Sequence, residues 1–146
     1  MNKDSIVPPN SLLLGEVSAL LAEGHPVVLM TKGNSMLPFI RGDKDSVRLV
    51  AAQEYKIGQA VLAQLSPGHY VLHRLVEVSG EDVTLQGDGN LRGREHCRKS
   101  DICGVVTEVI RPGGKKVGTR DEGAARWRRL PYIIRRVILA IYRRIQ

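Results

Sequence analysis

HYVLHRLVEVSGEDVTLQGDGN, residues 69–90, decides the fold class. Across 69–78, Tyr70, Leu72, Arg74 and Val76 fall on one side, and His69, Val71, His73, Leu75 and Glu77 on the other. That is the period of a pleated strand. Ser79-Gly80 is turn chemistry, 82–86 is a second apolar run, and Gly87-Asp88-Gly89-Asn90 ends it. The segment reads as an antiparallel hairpin closed by a tight turn.

Working outward, short apolar runs at 26–30, 46–50, 60–65 and 102–110 are bounded by Gly, Pro, Asp or Asn. Pro67-Gly68 joins 60–65 to 69–78 as a further hairpin, and Gly42-Asp43 marks another turn. There is no internal repeat, no βαβ alternation and no Gly-rich phosphate loop. The class expected is mainly β, as a single domain of 146 residues. With one Phe and one Trp among 42% hydrophobic residues, the core must be aliphatic.

The flanks differ. Residues 11–23, SLLLGEVSALLAE, read as an amphipathic helix with Leu13, Val17, Leu20 and Leu21 on one face. Asn10 or Ser11 is the expected cap and Gly24 the stop. The expected organisation is an N-terminal segment over 1–24, a β domain over 25–110, a flexible connector over 111–125 and a basic amphipathic helix over 126–146.

Charge is segregated. Residues 1–110 carry 11 Lys/Arg against 13 Asp/Glu, a net of −2, and residues 111–146 carry 11 against 2, a net of +9. In the tail, Leu130, Ile133, Ile134, Val137, Ile138, Ile141 and Ile145 share one side, with Arg135, Arg136 and Arg143 opposite. Leu139 and Arg144 break the pattern. A 16-residue helix is about 24 Å long, too short and too charged to cross a bilayer. Such a helix suits an anionic membrane surface, with Trp127, Ile134, Arg135, Arg136, Ile138, Ile141 and Arg143 as its contacts. The other reading is that the stripe packs on the chain's own β core. Nucleic acid is disfavoured, because it gives an aliphatic face no role.

MNKDSIVPPN at the start has no secretory pattern, and no apolar run reaches about 20 residues, so a cytoplasmic, membrane-peripheral location is expected. Cys97 and Cys103 are then expected to be reduced. With His96 they lack a zinc spacing, and neither metal nor cofactor is expected.

Two side chains carry candidate chemistry. Ser35 lies in KGNSMLPF just after a strand, where Pro38 restricts the backbone of Leu37. His73 has the ring whose ordinary pKa suits a general base, although a histidine among apolar neighbours is also read as a structural residue. Asp88, in its turn, could equally cap backbone N–H groups.

Gly-Asn-Ser-Met-Leu-Pro (33–38), Gly-Asp (42–43), His-Arg (73–74), Gly-Asp-Gly-Asn (87–90) and Gly104-Val105, in that order, resemble the signal peptidase superfamily, which includes the self-cleaving LexA-like domains. The resemblance covers about residues 25–110 and is nearest to the branch that uses histidine as base. It implies a small β domain, a Ser35 nucleophile, a His73 general base, Asp88 on the distal ring nitrogen and the Ser35 backbone N–H as oxyanion donor. It also implies an extended peptide substrate paired near residues 26–34.

Three features depart from the pattern. Gly33 stands where many relatives have a serine. Arg94, followed by Glu95, stands where a second aspartate is usual. No membrane-spanning segment is evident. The function expected is serine endopeptidase activity on a peptide or small protein. The alternatives are a non-catalytic binding module and a self-cleaving domain cut near 123–125.

Overall fold

The computed structural model describes residues 11–145. The expected cap at Asn10 or the Ser11 side chain lies outside what is described. Helix α1 (Ser11–Ala22) is followed by β1 (Val27–Met30), β2 (Ser46–Val50), β3 (Ala60–Ser66), β4 (His69–Ser79) and β5 (Asp82–Gln86). Then come β6 (Glu95–Arg98), β7 (Ile102–Ile110), the short β8 (Lys116–Val117), α2 (Asp121–Arg129) and α3 (Tyr132–Ile145). The strands form one antiparallel sheet in the order β1-β2-β7-β3-β4-β5-β6, with β8 added beside β7. The result is a mixed α/β domain: one helix precedes the sheet and two follow it.

Alternation along the central strands divides the core. Leu62 and Val106 pack with Leu14, Val17 and Leu21 of α1, while their neighbours Val61 and Val105 pack with Leu75, Val83 and Leu85 on the other side. The face that α1 buries is therefore rotated from the expected one: Leu14 is in the core, and Leu20 is exposed. Each fully buried Leu or Val contributes about 1.5–3 kcal/mol.

The C-terminal region departs most from expectation. The connector over 111–125 contains β8 and the first turn of α2. The single helix over 126–146 is two helices, because Leu130 precedes Pro131 and is pushed to an extended backbone (φ −68°, ψ 147°). Trp127 is not a membrane contact. It is buried, it stacks edge-on against Phe39 with ring centroids 6.3 Å apart, and its Nε1–H donates to the Asp88 carbonyl at 2.7 Å. A buried indole N–H needs such an acceptor.

Helix α3 docks through Leu139, the residue that broke the sequence pattern, packed with Trp127 and Leu37 beside partly buried Ile138 and Tyr142. Arg135 and Ile138, both expected among the membrane contacts, are half-buried. The apolar stripe of Ile133, Ile134, Val137, Ile141 and Ile145 faces outward. Of the expected stripe, Ile138 packs on the chain's own core, and these five residues do not among the described residues. Among the described residues, no helix is long and apolar enough to cross a membrane.

Candidate functional site

β1 runs through Thr31 into the turn that holds Ser35, and β2 begins where the chain returns. A buried polar knot fixes this excursion. Asp45, fully buried, accepts from the Arg41 backbone N–H (2.7 Å) and Nη2 (3.1 Å) and from the Arg111 guanidinium. Thr31 Oγ1 donates to the Asp45 carbonyl at 2.8 Å. Two glycines allow the loop to close. A Cβ on Gly42 would lie 1.8 Å from the Gly33 carbonyl oxygen, and one on Gly87 would lie 2.4 Å from that of Ser35. The separate sequence boxes at 33–38, 42–43 and 87–90 therefore meet in space, and each glycine is required by a close backbone approach.

The 87–90 turn holds the serine backbone directly: the Gly89 N–H donates to the Ser35 carbonyl at 2.8 Å. The Ser35 N–H donates to no group among the described residues. It is available as a donor to an oxyanion.

His73, buried on β4, lines the same pocket as Ser35. This pocket, about 200 Å³, has apolar walls that include Leu14, Leu29, Met36, Ile40, Leu62 and Tyr70. Thr31, Lys32 and Gly33, just before the serine in sequence, also line it. No Ser35–His73 hydrogen bond is formed among the described residues.

The distal partner of His73 is Glu95, with Nδ1 and Oε1 2.5 Å apart. β5 pairs with β4 only as far as Arg74↔Gln86, so it places no residue opposite His73. β6 begins at Glu95, which pairs with Leu85, and its side chain reaches the imidazole. An ionised carboxylate only accepts, so Glu95 in that form selects the neutral imidazole tautomer with its proton on Nδ1 and its lone pair on Nε2.

Asp88 does not take the expected place on His73. Both of its oxygens are held by Arg74, Oδ2 by Nη2 at 2.7 Å and Oδ1 by Nε at 3.3 Å, and both side chains are fully buried. Arg74 Nη1 also donates to the Gly58 and Thr119 carbonyls and to Asp121. Burial pushes the Asp88 carboxyl up from its ordinary value, and the Arg74 fork pulls it back. Because the guanidinium cannot lose its proton, protonating Asp88 would leave the buried cation with only Asp121 as counter-charge, which favours the ionic form of the pair. The Arg74–Asp88 pair joins the serine-supporting turn to α2.

Sequence reasoning missed Glu95 and Asp45. Glu95 follows directly after Arg94, so a carboxylate one place beyond the family spacing was the available signal. Asp45 had none beyond its proximity to a Gly-Asp turn. Cys97 and Cys103 are unbridged, and no three metal-ligating side chains converge among the described residues.

Compared with models of protein families and with curated proteins, the chain matches none.

Proposed function

We propose that the chain is a serine endopeptidase of the signal-peptidase and LexA-like type, cutting a peptide or small protein at an anionic membrane surface. One observation carries the reading: Ser35 and a His73 held through Nδ1 by Glu95 line one pocket with apolar walls. Among the described residues β1 is an edge strand with one side unpaired, so an extended peptide pairs along it and delivers its carbonyl toward Ser35. An apolar side chain before the cut fills the pocket. Peptide binding closes the Ser35–His73 hydrogen bond, as catalytic contacts often tighten only in the substrate complex.

Ser35 Oγ then attacks the carbonyl carbon as His73 Nε2 takes its proton, and Glu95 favours the imidazolium so formed. The Ser35 N–H donates to the tetrahedral oxyanion. Collapse breaks the C–N bond, and His73 returns the proton to the leaving amine. His73 next deprotonates a water, which hydrolyses the acyl ester and frees Ser35.

The open Ser35–His73 geometry favours one other reading, a binding module that holds extended peptides without cutting them. Self-cleavage near 123–125 loses its motivation, because those residues are helical and Ala124 is fully buried. Incubation with a diverse peptide library, with new N-termini read by mass spectrometry, separates the remaining two. The wild type is expected to produce cuts with a shared apolar preference, and Ser35→Ala to lower the rate by roughly three or more orders of magnitude. Undiminished cutting by Ser35→Ala refutes the nucleophile assignment, and binding without cutting favours the module.

Membrane attachment rests on the outward stripe of α3, flanked by exposed Arg136, Arg143 and Arg144. Cations beside exposed aliphatic residues suit anionic headgroups above acyl chains. Vesicles containing phosphatidylglycerol are expected to sediment the wild type, and the Ile134→Asp/Ile141→Asp variant to remain in solution. Equal sedimentation of the two would remove the membrane from the account.

A further inference from the structure

A second cleft, separate from the serine pocket, lies between the 91–94 turn, α2 and α3. Five arginines line it: Arg92, Arg94, Arg128, Arg129 and Arg135. No Asp or Glu lines it, and it shares no residue with the Ser35 pocket.

Several of these cations are held in place. The Arg94 Nε–H donates to Gln86 Oε1 at 3.1 Å, and the Gln86 amide donates to the Asn90 carbonyl at 2.6 Å. Arg92 stacks over the Tyr132 ring, 4.8 Å from its centroid. Arg128 Nη1 and Arg135 Nε are buried without a hydrogen-bond partner among the described residues. Like charges that converge and buried donors without acceptors are both unfavourable, and one bound anion relieves both. Burial, with Arg74, Arg94 and Arg129 adding to it, holds the Arg128 guanidinium below its ordinary value, and Asp88 only partly offsets this. Asp88 is not that acceptor: its carboxylate is bonded to Arg74, and it makes no hydrogen bond to Arg128 Nη1.

We infer that this cleft binds a phosphate-type dianion through Arg128 and Arg135, with Arg94 and Arg129 at its rim. A tetrahedral dianion offers more acceptor oxygens and twice the charge of a monovalent carboxylate to several converging guanidinium forks. A volume of about 360 Å³ admits a phosphate together with a small group attached to it. The phosphate could belong to a lipid headgroup or to a soluble compound. The inference is independent of the peptidase reading.

Inorganic phosphate titrated calorimetrically into the full chain at pH 7.5, with ionic strength held by sodium chloride, tests it. One saturable site is expected. Arg128→Gln and Arg135→Gln should weaken binding about tenfold or more, and the exposed Arg129→Gln several-fold without a risk to folding. Arg144→Gln, on the outer side of α3, should change it less than about twofold. Absence of phosphate binding by the wild type overturns the inference, as does equal binding of acetate or an equal loss in Arg144→Gln. Vesicles of phosphatidylcholine with phosphatidic acid identify the source once phosphate binding is established. Release of bound protein by free phosphate supports a headgroup, and binding insensitive to phosphate supports a soluble ligand in the cleft.

Discussion

Replacing Glu95 by Gln keeps the size of the side chain and removes only its charge. In the mechanism above, the imidazolium exists while the tetrahedral intermediate forms, 2.5 Å from the Glu95 carboxylate. Unit charges about 4 Å apart interact by about 4 kcal/mol at an effective dielectric near 20. Glu95 is 23% exposed, so solvent screening brings this to about 2 kcal/mol. That corresponds to a loss of roughly 30-fold in kcat/KM. If the new amide turns its N–H₂ toward the ring, Nδ1 must accept, the basic lone pair leaves Nε2, and the loss extends toward about 10⁴-fold. The assay is kcat/KM on the best peptide from the library, with a thermal melt to establish that the fold is retained. A folded Glu95→Gln enzyme within about twofold of wild type would refute the role given to Glu95.

Asp88→Asn separates a structural role from a catalytic one. It leaves the fully buried Arg74 cation with only the part-exposed Asp121 as counter-charge, so urea unfolding should register a loss of about 3 kcal/mol, the low end of the cost of breaking a buried pair. A change below about 0.5 kcal/mol would contradict the pairing. Burial, with Asp101 and Glu95 adding to it, pushes the Cys97 thiol up to about 11. At pH 8 about one molecule in a thousand then carries the thiolate. Alkylation should be roughly a hundredfold slower than for an exposed cysteine and should accelerate as pH rises toward that value. Rapid labelling at pH 7 would contradict the burial of Cys97.

Much of the sheet was legible because its strands combine two-residue alternation with strong punctuation. The runs at 46–50, 82–86 and 102–110 are strands over those same residues. β6 was not legible: Glu-His-Cys-Arg has no apolar run and forms an edge strand through backbone pairing with β5. That omission hid the partner of His73. Helix periodicity found the apolar stripe of α3 but could not say which side docks, because the buried contact with Trp127 and Leu37 is made by Leu139, off the stripe, with Ile138 and Tyr142 beside it. Asp88 was drawn to the site by its motif, yet only the three-dimensional arrangement reveals that the adjacent Arg74 claims it. The ordered boxes singled out Ser35 and His73, which line one pocket, since the glycines that let those boxes touch stand in the sequence.

The central claim is that Ser35 and His73 act as one unit on a peptide bond. The most direct measurement is kcat/KM for Ser35→Ala, His73→Ala and the double variant on one cleaved peptide. Members of a single proton-transfer unit are grossly non-additive, so the double variant should be about as slow as either single one. Losses that multiply in the double variant, or a single variant that retains wild-type turnover, would contradict the account.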